Sequence, residues 1–235
     1  MNAPNNPIGI IGAMPQEVKT LTEYLTDKKT TAIAGMMLYS GSINGVSVVV
    51  MQSGIGKVNA TIATTLLIER FSPKAIINTG SAGGIGQGLS VGDVVIGNSV
   101  AHHDVDVTAF GYQMGQMAQM PADYVSDKHL LSVAEQASHH FTDATVHKGL
   151  IVSGDQFIAD SERFSIIKKH FPNALSVEME ASAIAQTCYR FEIPFVVIRA
   201  ISDLANAKAS ISFDEFIEHA GKQSAEMIMA MLPKI

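Results

Sequence analysis

Residues 175–185, LSVEMEASAIA, join the end of a predicted strand to the start of a predicted helix. Apolar residues recur at helical spacing on one stripe, at Ala181, Ile184, Ala185, Cys188 and Phe191. The first turn of this helix contains Glu180, where unpaired N–H groups and the positive end of the helix dipole favour an ionised carboxylate. Such a carboxylate either stabilises the helix start or accepts hydrogen bonds from a ligand, and the stretch alone leaves both functions open.

Strands and helices alternate on both sides of this stretch. The pattern predicts strands at 8–13, 31–33, 37–41, 46–51, 75–78, 92–100, 147–153 and 194–201, and helices starting at Pro15 and spanning 57–71, 126–139, 160–170 and 213–232. Asn44-Gly45 predicts a hairpin turn, so we expect a mixed sheet. The alternation favours an α/β fold, a three-layer α/β/α sandwich with a central mixed, twisted β-sheet.

Size and composition are those of one globular domain. The chain has 235 residues, 47% hydrophobic and 16% charged, and we expect a flexible tail at 1–7 and a single domain at 8–235. The net charge of −6 with scattered Lys and Arg argues against nucleic-acid binding. The single cysteine, Cys188, and the lack of an apolar run near ~18 residues predict a cytoplasmic protein with no membrane partner.

Five residues that carry useful chemistry follow the carboxyl ends of predicted strands: Glu17, Ser81, Phe157, Glu180 and Asp203. Open α/β sheets bind ligands at that edge, so we expect these side chains to share a site. Three carboxylates without a set of metal ligands suit acid and base catalysis, and cleavage of a glycosidic bond is the leading example.

Several segments allow two interpretations. The glycine-rich stretch 79–88 is a plain turn or a loop where backbone approaches a ligand, and it matches no nucleotide-binding motif. Residues 102–106, HHDVD, alternate in direction and predict no metal site. The apolar segment 107–121 packs under a partner subunit or onto its own domain. Phe157 is a core residue or stacks on a flat ring, and Asp203 alone suits a cap or turn.

Seven blocks, in order along the chain, carry a resemblance to a known family. They are IGIIGAM at 8–14 with Glu17, SGIGK at 53–57, NTGSAGG at 78–84, DVTAFGY at 106–112, VSGD at 152–155 with Phe157, VEMEA at 177–181 and RAISD at 199–203. Together they resemble the bacterial 5′-methylthioadenosine/S-adenosylhomocysteine nucleosidases of the nucleoside phosphorylase-like superfamily. The resemblance runs from Ile8 to the last helix.

The resemblance implies hydrolysis of the N-glycosidic bond of methylthioadenosine and S-adenosylhomocysteine, with no cofactor and no metal. Position by position, it implies that Glu17 activates water and that Asp203 protonates the purine. It also implies that Glu180 holds the ribose hydroxyls, while Ser81 and Arg199 help to place the water.

The resemblance also implies the binding surfaces. Phe157 would lie against the purine face and the Ile158 backbone on its edge. The other implied substrate-binding residues are Met14, Ile55, Ala82, Met179, Ser202 and Phe213, with Val107, Phe110 and Tyr112 supplied by the partner subunit of a homodimer. Ala118 stands where the family commonly has proline, which leaves the far end of the alkylthio pocket undefined.

Three other functions compete with this prediction. A purine nucleoside phosphorylase would use phosphate in place of water, and Glu17 would repel that anion. An aminodeoxyfutalosine nucleosidase can share the same carboxylates. An adenosine-compound binding module would need the pocket but not both Glu17 and Asp203.

Overall fold

The computed structural model describes residues 6–139, 144–205 and 209–235, so residues 1–5 of the predicted tail lie outside it. The strands within these ranges are β1 (Ile8–Gly12), β2 (Thr26–Ile33), β3 (Met36–Ile43), β4 (Val46–Gln52), β5 (Ala75–Asn78), β6 (Ser81–Gly84), β7 (Val94–His102), β8 (Tyr124–Val125), β9 (Val146–Ser153), β10 (Ala174–Glu178) and β11 (Phe195–Asp203). The helices are α1 (Pro15–Glu23), α2 (Lys57–Phe71), α3 (Lys128–Ser138), α4 (Ser161–His170), α5 (Ala181–Phe191) and α6 (Ala209–Met231), with 3-10 turns at Thr108–Phe110 and Leu232–Lys234.

One sheet contains all of these strands. β1 is parallel to β4 on one side and to β5 on the other, and β5 is parallel to β11. At the outer edge β2, β3 and β4 pair antiparallel through tight turns. The predicted mixed sheet is therefore confirmed, and the parallel strands place their carboxyl ends at one common edge.

β11 holds the two halves of the sheet together. One edge of the strand pairs with β5 at Phe195–Val197 and then with β6 at Ala200–Asp203. The opposite edge pairs antiparallel with β7 at Val197–Ala200. Since β6 pairs with β10, β10 with β9 and β9 with β7, these strands close into a ring. Every residue of β11 is buried, as the apolar run in the sequence predicts.

Helices cover both faces of the sheet. Leu21 of α1, Val133 of α3 and Ile228 of α6 belong to one apolar core cluster. Leu67 of α2 and Ile184 of α5 belong to a second cluster on the other face. This arrangement confirms the predicted three-layer α/β/α sandwich. Within the described ranges, no helix combines the length and the apolar character that a membrane crossing requires, and the cytoplasmic location and the single domain stay predictions.

Three stretches show where the structure departs from the prediction. The glycine-rich stretch contains the buried strand β6, because only small residues fit between β10 and β11: a Cβ on Gly83 would lie 2.9 Å from Asp203 Oδ1. β2 is eight residues long and almost fully exposed. Because its sequence is mostly polar, the hydrophobic pattern predicted only its last three residues. α6 begins at Ala209, four residues before the predicted start at Phe213.

Candidate active site

A cavity of about 350 Å³ opens at the carboxyl ends of β1, β10 and β11. Twelve predicted site residues line it: Met14, Glu17, Ile55, Ser81, Ala82, Phe157, Ile158, Met179, Glu180, Ser202, Asp203 and Phe213. The lining residues that sequence reasoning did not assign are Ala13, Gly83, Gln156, Val177 and Glu178. Four of these are adjacent in sequence to a predicted site residue, and Val177 lies two positions before Met179, so closeness along the chain was the available signal.

Glu17 is fixed by four hydrogen bonds. It lies in the first turn of α1, as predicted, and its Oε2 accepts from the amides of Ala13 and Met14 at 2.7 and 3.0 Å. Oε1 accepts from the amide and the hydroxyl of Ser81 at 2.9 and 3.0 Å. The side chain is buried, so its orientation is set by the turn after β1 and by the start of β6. Four donors around a buried group suit a negatively charged oxygen acceptor.

Asp203 lies at the last position of β11 and has a different environment. Its Oδ1 accepts from the Ala205 amide at 2.8 Å and its Oδ2 from the Ser202 hydroxyl at 3.0 Å. Burial raises the pKa of Asp203 above its ordinary value, although these two hydrogen bonds act against the rise. A carboxyl group with a raised pKa suits proton donation.

Glu178 and Glu180 have different hydrogen-bond partners at the start of α5. Glu178 Oε2 accepts from the amides of Glu180 and Ala181 at 3.0 and 2.9 Å, and Oε1 accepts from the Ser153 hydroxyl. Glu178 therefore caps the helix. Glu180 makes no capping hydrogen bond, and its Oε1 accepts from the Gly56 amide at 2.8 Å.

The prediction that the helix start keeps Glu180 ionised is wrong. Glu180 precedes the first helical residue, and the N–H groups that would have stabilised its charge bind Glu178. Burial and then the nearby Glu178 raise the pKa of Glu180 to about 8, against the opposing effect of Arg199. Near neutral pH this carboxyl group therefore accepts or donates hydrogen bonds.

Arg199 is fully buried behind the carboxylates and does not line the cavity. Its Nη2 lies 2.5 Å from Glu178 Oε2, 2.8 Å from Asn78 Oδ1 and 3.9 Å from Glu180 Oε2. Its Nη1 donates to the Thr79 carbonyl. Gly80, with φ of +146°, lies so close that a Cβ would be 2.6 Å from both Arg199 Nη1 and Glu17 Oε1. The Arg199 guanidinium is therefore the positive charge that the carboxylates of Glu17, Glu178 and Glu180 share.

A sequence model described as the phosphorylase superfamily matches residues 7–233. A 5′-methylthioadenosine/S-adenosylhomocysteine nucleosidase from an Exiguobacterium species is 53% identical over 97% of this chain and 98% of that protein. The chain belongs to this nucleosidase family. The predicted family and the predicted enzyme class, an N-glycosyl hydrolase, are therefore confirmed.

Solved structures of nucleosidases share the fold. The nucleosidase from Neisseria meningitidis, crystallised with methylthio-immucillin-A, is 50% identical to this family member, with a TM-score of 0.96 over 98% of this chain and 100% of that one. A futalosine hydrolase from Helicobacter pylori is 30% identical, with a TM-score of 0.92 over 98% of both chains. Related hydrolases with different substrates therefore share this scaffold.

The apolar side of the nucleosidase cavity is open at its mouth. Phe157 is 42% exposed and packs edge to face against Phe213, with ring centroids 5.7 Å apart. Ile55 is 51% exposed beside them. A half-exposed aromatic ring at the mouth is available to a flat ligand, which favours the stacking interpretation of Phe157 over the core interpretation.

The segment predicted to come from a partner does not line the cavity of its own chain. Val107, Phe110 and Tyr112 are absent from the lining, and Phe110 is 81% exposed on the turn at Thr108–Phe110. Further along the same segment Met120 packs against a core cluster. The first part of the segment is therefore left uncovered by its own domain.

The histidine-rich stretch 102–106 makes contacts with other elements. His102 Nδ1 lies 2.7 Å from the Ser182 hydroxyl and its Nε2 lies 2.8 Å from Gln186 Oε1. Asp104 pairs with Lys57. These residues join β7 to α5 and α2.

Proposed function

We propose that this chain hydrolyses the N-glycosidic bond of 5′-methylthioadenosine and S-adenosylhomocysteine, releasing adenine and the 5′-thio-ribose, with Glu17 as the base and Asp203 as the acid. These roles are supported by the different environments of two buried carboxyl groups that line one cavity. Glu17 has four hydrogen-bond donors, whereas burial raises the pKa of Asp203. Carboxyl groups in unlike environments divide into base and acid.

Glu17 activates the attacking water with help from Ser81. The Ser81 hydroxyl is the one mobile donor among the four that contact Glu17. When it turns toward a water molecule, an Oε1 lone pair becomes free to take the water proton. The three backbone donors then keep the carboxylate in place during the transfer.

Asp203 supplies the proton that the leaving purine requires. An adenine anion is a poor leaving group, and a proton that arrives in the transition state offsets its developing charge. Ser202 and the Ala205 amide each bind one oxygen of Asp203 and so fix its direction.

Glu180 binds the ribose hydroxyls from the start of α5. One oxygen is held by the Gly56 amide and the other is 3.9 Å from Arg199. With a pKa raised to about 8, the group offers an acceptor or a donor to the two hydroxyls. Glu178 is occupied by the helix start, Ser153 and Arg199, so it supports Glu180 and does not bind sugar.

The purine and the thio substituent bind on the apolar side. Phe157 lies against the purine face with the Ile158 backbone at its edge. The 5′ substituent packs on residues that all line the cavity, namely Met14, Ile55, Met179 and Phe213. These contacts suit a thioether better than a hydroxyl, because burying an unpaired polar group is unfavourable.

The active form is a homodimer in which Val107, Phe110 and Tyr112 of one subunit complete the other subunit's thio pocket. The 81% exposure of Phe110 supports this proposal, because its own chain leaves most of this aromatic side chain uncovered and accessible to another subunit. The expectation that nucleic acid is not a partner stays a prediction.

Phosphorolysis is disfavoured by the charge of the cavity. Its lining contains Glu17, Glu178, Glu180 and Asp203, and among the described lining residues none is Lys, Arg or His. Phosphate-binding sites present cations or free backbone N–H groups to the anion. A binding module without turnover would have no use for two carboxyl groups with such different hydrogen-bond partners.

One experiment separates these functions. The protein is incubated with methylthioadenosine, S-adenosylhomocysteine, inosine and aminodeoxyfutalosine, with and without phosphate, and release of free base is followed. We expect phosphate-independent release of adenine from the first two nucleosides. Release that requires phosphate, or release from aminodeoxyfutalosine alone, would overturn the proposal.

A further inference from the structure

Three residues outside the cavity form a closed ring of hydrogen bonds. Lys57 Nζ lies 2.6 Å from Asp104 Oδ1, and the Lys57 amide donates to Asp155 Oδ1 at 2.7 Å. The Asp155 amide donates to Asp104 Oδ2 at 2.9 Å. Each residue contacts both others, so the ring joins the start of α2, the segment after β7 and the segment after β9. None of the three lines the cavity.

The ring connects two segments that deliver cavity residues. Gly56, directly before Lys57, donates its amide to Glu180 Oε1 at 2.8 Å. Phe157 and Ile158 come shortly after Asp155 and line the cavity. A displacement of the ring therefore moves the partner of the ribose carboxyl group and the purine-facing segment together.

The ring is better shielded from solvent than an ordinary surface ion pair. The side chains of Lys57 and Asp104 are 19% and 16% exposed, whereas those of the Lys148–Glu135 pair are 49% and 46% exposed. Burial opposes the charge of Asp104, but the hydrogen bonds from Lys57 and from the Asp155 amide hold the pKa of Asp104 below its ordinary value. Asp104 therefore stays ionised at neutral pH, and solvent screens the Lys57–Asp104 pair less than an exposed pair.

We propose that Lys57, Asp104 and Asp155 are positioning residues that hold the ribose-binding and purine-binding segments in the arrangement that accepts substrate. This inference rests on the proposed function of the site. Without the ring, a smaller fraction of molecules has both segments in place. The apparent dissociation constant for the substrate equals the intrinsic constant divided by that fraction, so it rises. Glu17 and Asp203 are held by separate hydrogen bonds, so chemistry after binding is little affected.

The test uses the full chain with Lys57→Met, Asp104→Asn and the double variant. Adenine release from methylthioadenosine gives kcat and KM, and calorimetry gives the dissociation constant for adenine. We expect KM and the adenine dissociation constant to rise about tenfold in each single variant, the loss of one strong hydrogen bond to a charged group. We expect kcat to stay within about threefold, and the double variant to resemble the singles because they break the same ring.

Two further variants separate positioning from general stability. Lys57→Arg keeps the charge and reaches the same carboxylate, so it should recover most of the affinity. Lys148→Met breaks the exposed pair with Glu135 and should leave KM unchanged. If the ring variants lower only the melting temperature and keep the wild-type KM and adenine affinity, the ring is merely structural and the inference is overturned.

Failure of the proposed function gives a different result. In that case the wild-type chain releases no adenine from either thio-nucleoside. Adenine binding does not depend on turnover, so the comparison of the variants with the wild type still decides the inference. Equal adenine affinity in all of them, or strictly additive effects in the double variant, would contradict it.

Discussion

The two ends of the cavity are built in different ways. At the carboxylate end, Glu17, Glu178 and Arg199 are buried, and each makes at least three hydrogen bonds within the chain. At the mouth, the side chains of Ile55 and Phe157 are apolar and about half exposed. The carboxylate end is thus fixed by hydrogen bonds within the chain, and the mouth presents apolar surface to solvent.

The carboxylate end is proposed to carry out the reaction, and the mouth is proposed to select the substrate. The groups proposed to move protons are fixed by backbone donors, so their geometry does not depend on a partner or on the length of the 5′ substituent. The groups proposed to contact the substituent are apolar, and we expect them to accept both a methylthio and a homocysteinyl group. The following predictions test this division, beginning with the largest effect.

Replacing Glu17 with Gln should abolish most turnover. The amide is nearly the same size but cannot take a proton from water, so kcat should fall by about 10³-fold or more, toward the upper range of general base catalysis. Adenine affinity should change little, because the purine side of the cavity is untouched. Steady-state kinetics and calorimetry check both quantities.

Ser81→Ala is the matched control for that variant. It removes one of the four donors to Glu17 and leaves the base in place. A loss of about tenfold is expected, the cost of one hydrogen bond to a charged group. A Gln variant with a nearly wild-type rate would refute the assignment of the base.

Replacing Asp203 with Asn should cost about 10²-fold or more in kcat with adenine as the leaving group. The reason is loss of the proton that neutralises the departing purine. A methylthioribose that carries 4-nitrophenol needs no such proton, so its hydrolysis should lose far less. An equal loss for both substrates would show that Asp203 acts in some way other than proton donation.

At the mouth, Phe110→Ala should weaken subunit association by about tenfold or more, the effect of truncating an aromatic side chain in an interface. KM for methylthioadenosine should rise with it, while kcat of the remaining dimer stays near the wild-type value. Sedimentation velocity measures the association. Tyr24→Ala, another exposed aromatic residue, is the control and should change neither quantity.

Glu180→Gln should change how stability depends on pH. Glu180 has an ordinary pKa of 4.5 that rises to about 8 in the fold, so the folded chain holds a proton that the unfolded chain loses between those values. The contribution of Glu180 to the free energy of unfolding is fully present below about pH 4.5 and is lost as pH rises toward 8.

The Gln variant lacks this proton equilibrium. The free energy of unfolding of the variant, relative to wild type, should therefore increase by about 1 kcal/mol or more from pH 5 to pH 8, since one pKa unit corresponds to ~1.4 kcal/mol. Urea unfolding of the ligand-free proteins at several pH values measures this difference. A constant difference across the range would contradict the raised pKa.

Local sequence patterns predicted the layers and most strand ends, because hydrophobic periodicity reports burial directly. They placed Glu17 correctly, since Pro15 marks the start of its helix. They failed where distant contacts decide. β6 is a strand because β10 and β11 flank it, and no propensity of SAGG indicates that. The capping role of Glu178 depends on a side-chain direction that spacing does not determine.

The double pairing of β11 also determines which part of the molecule opens last. This strand is hydrogen-bonded along both edges and buried throughout, so its amide protons should exchange with solvent only when the whole chain unfolds. Phe110 lies on an exposed 3-10 turn outside the sheet, so in the isolated subunit the amides of this turn should exchange through local opening. The proposed proton donor Asp203 thus belongs to the slowest-exchanging part of the molecule, and Phe110, the proposed contact of the 5′ substituent, to a faster one.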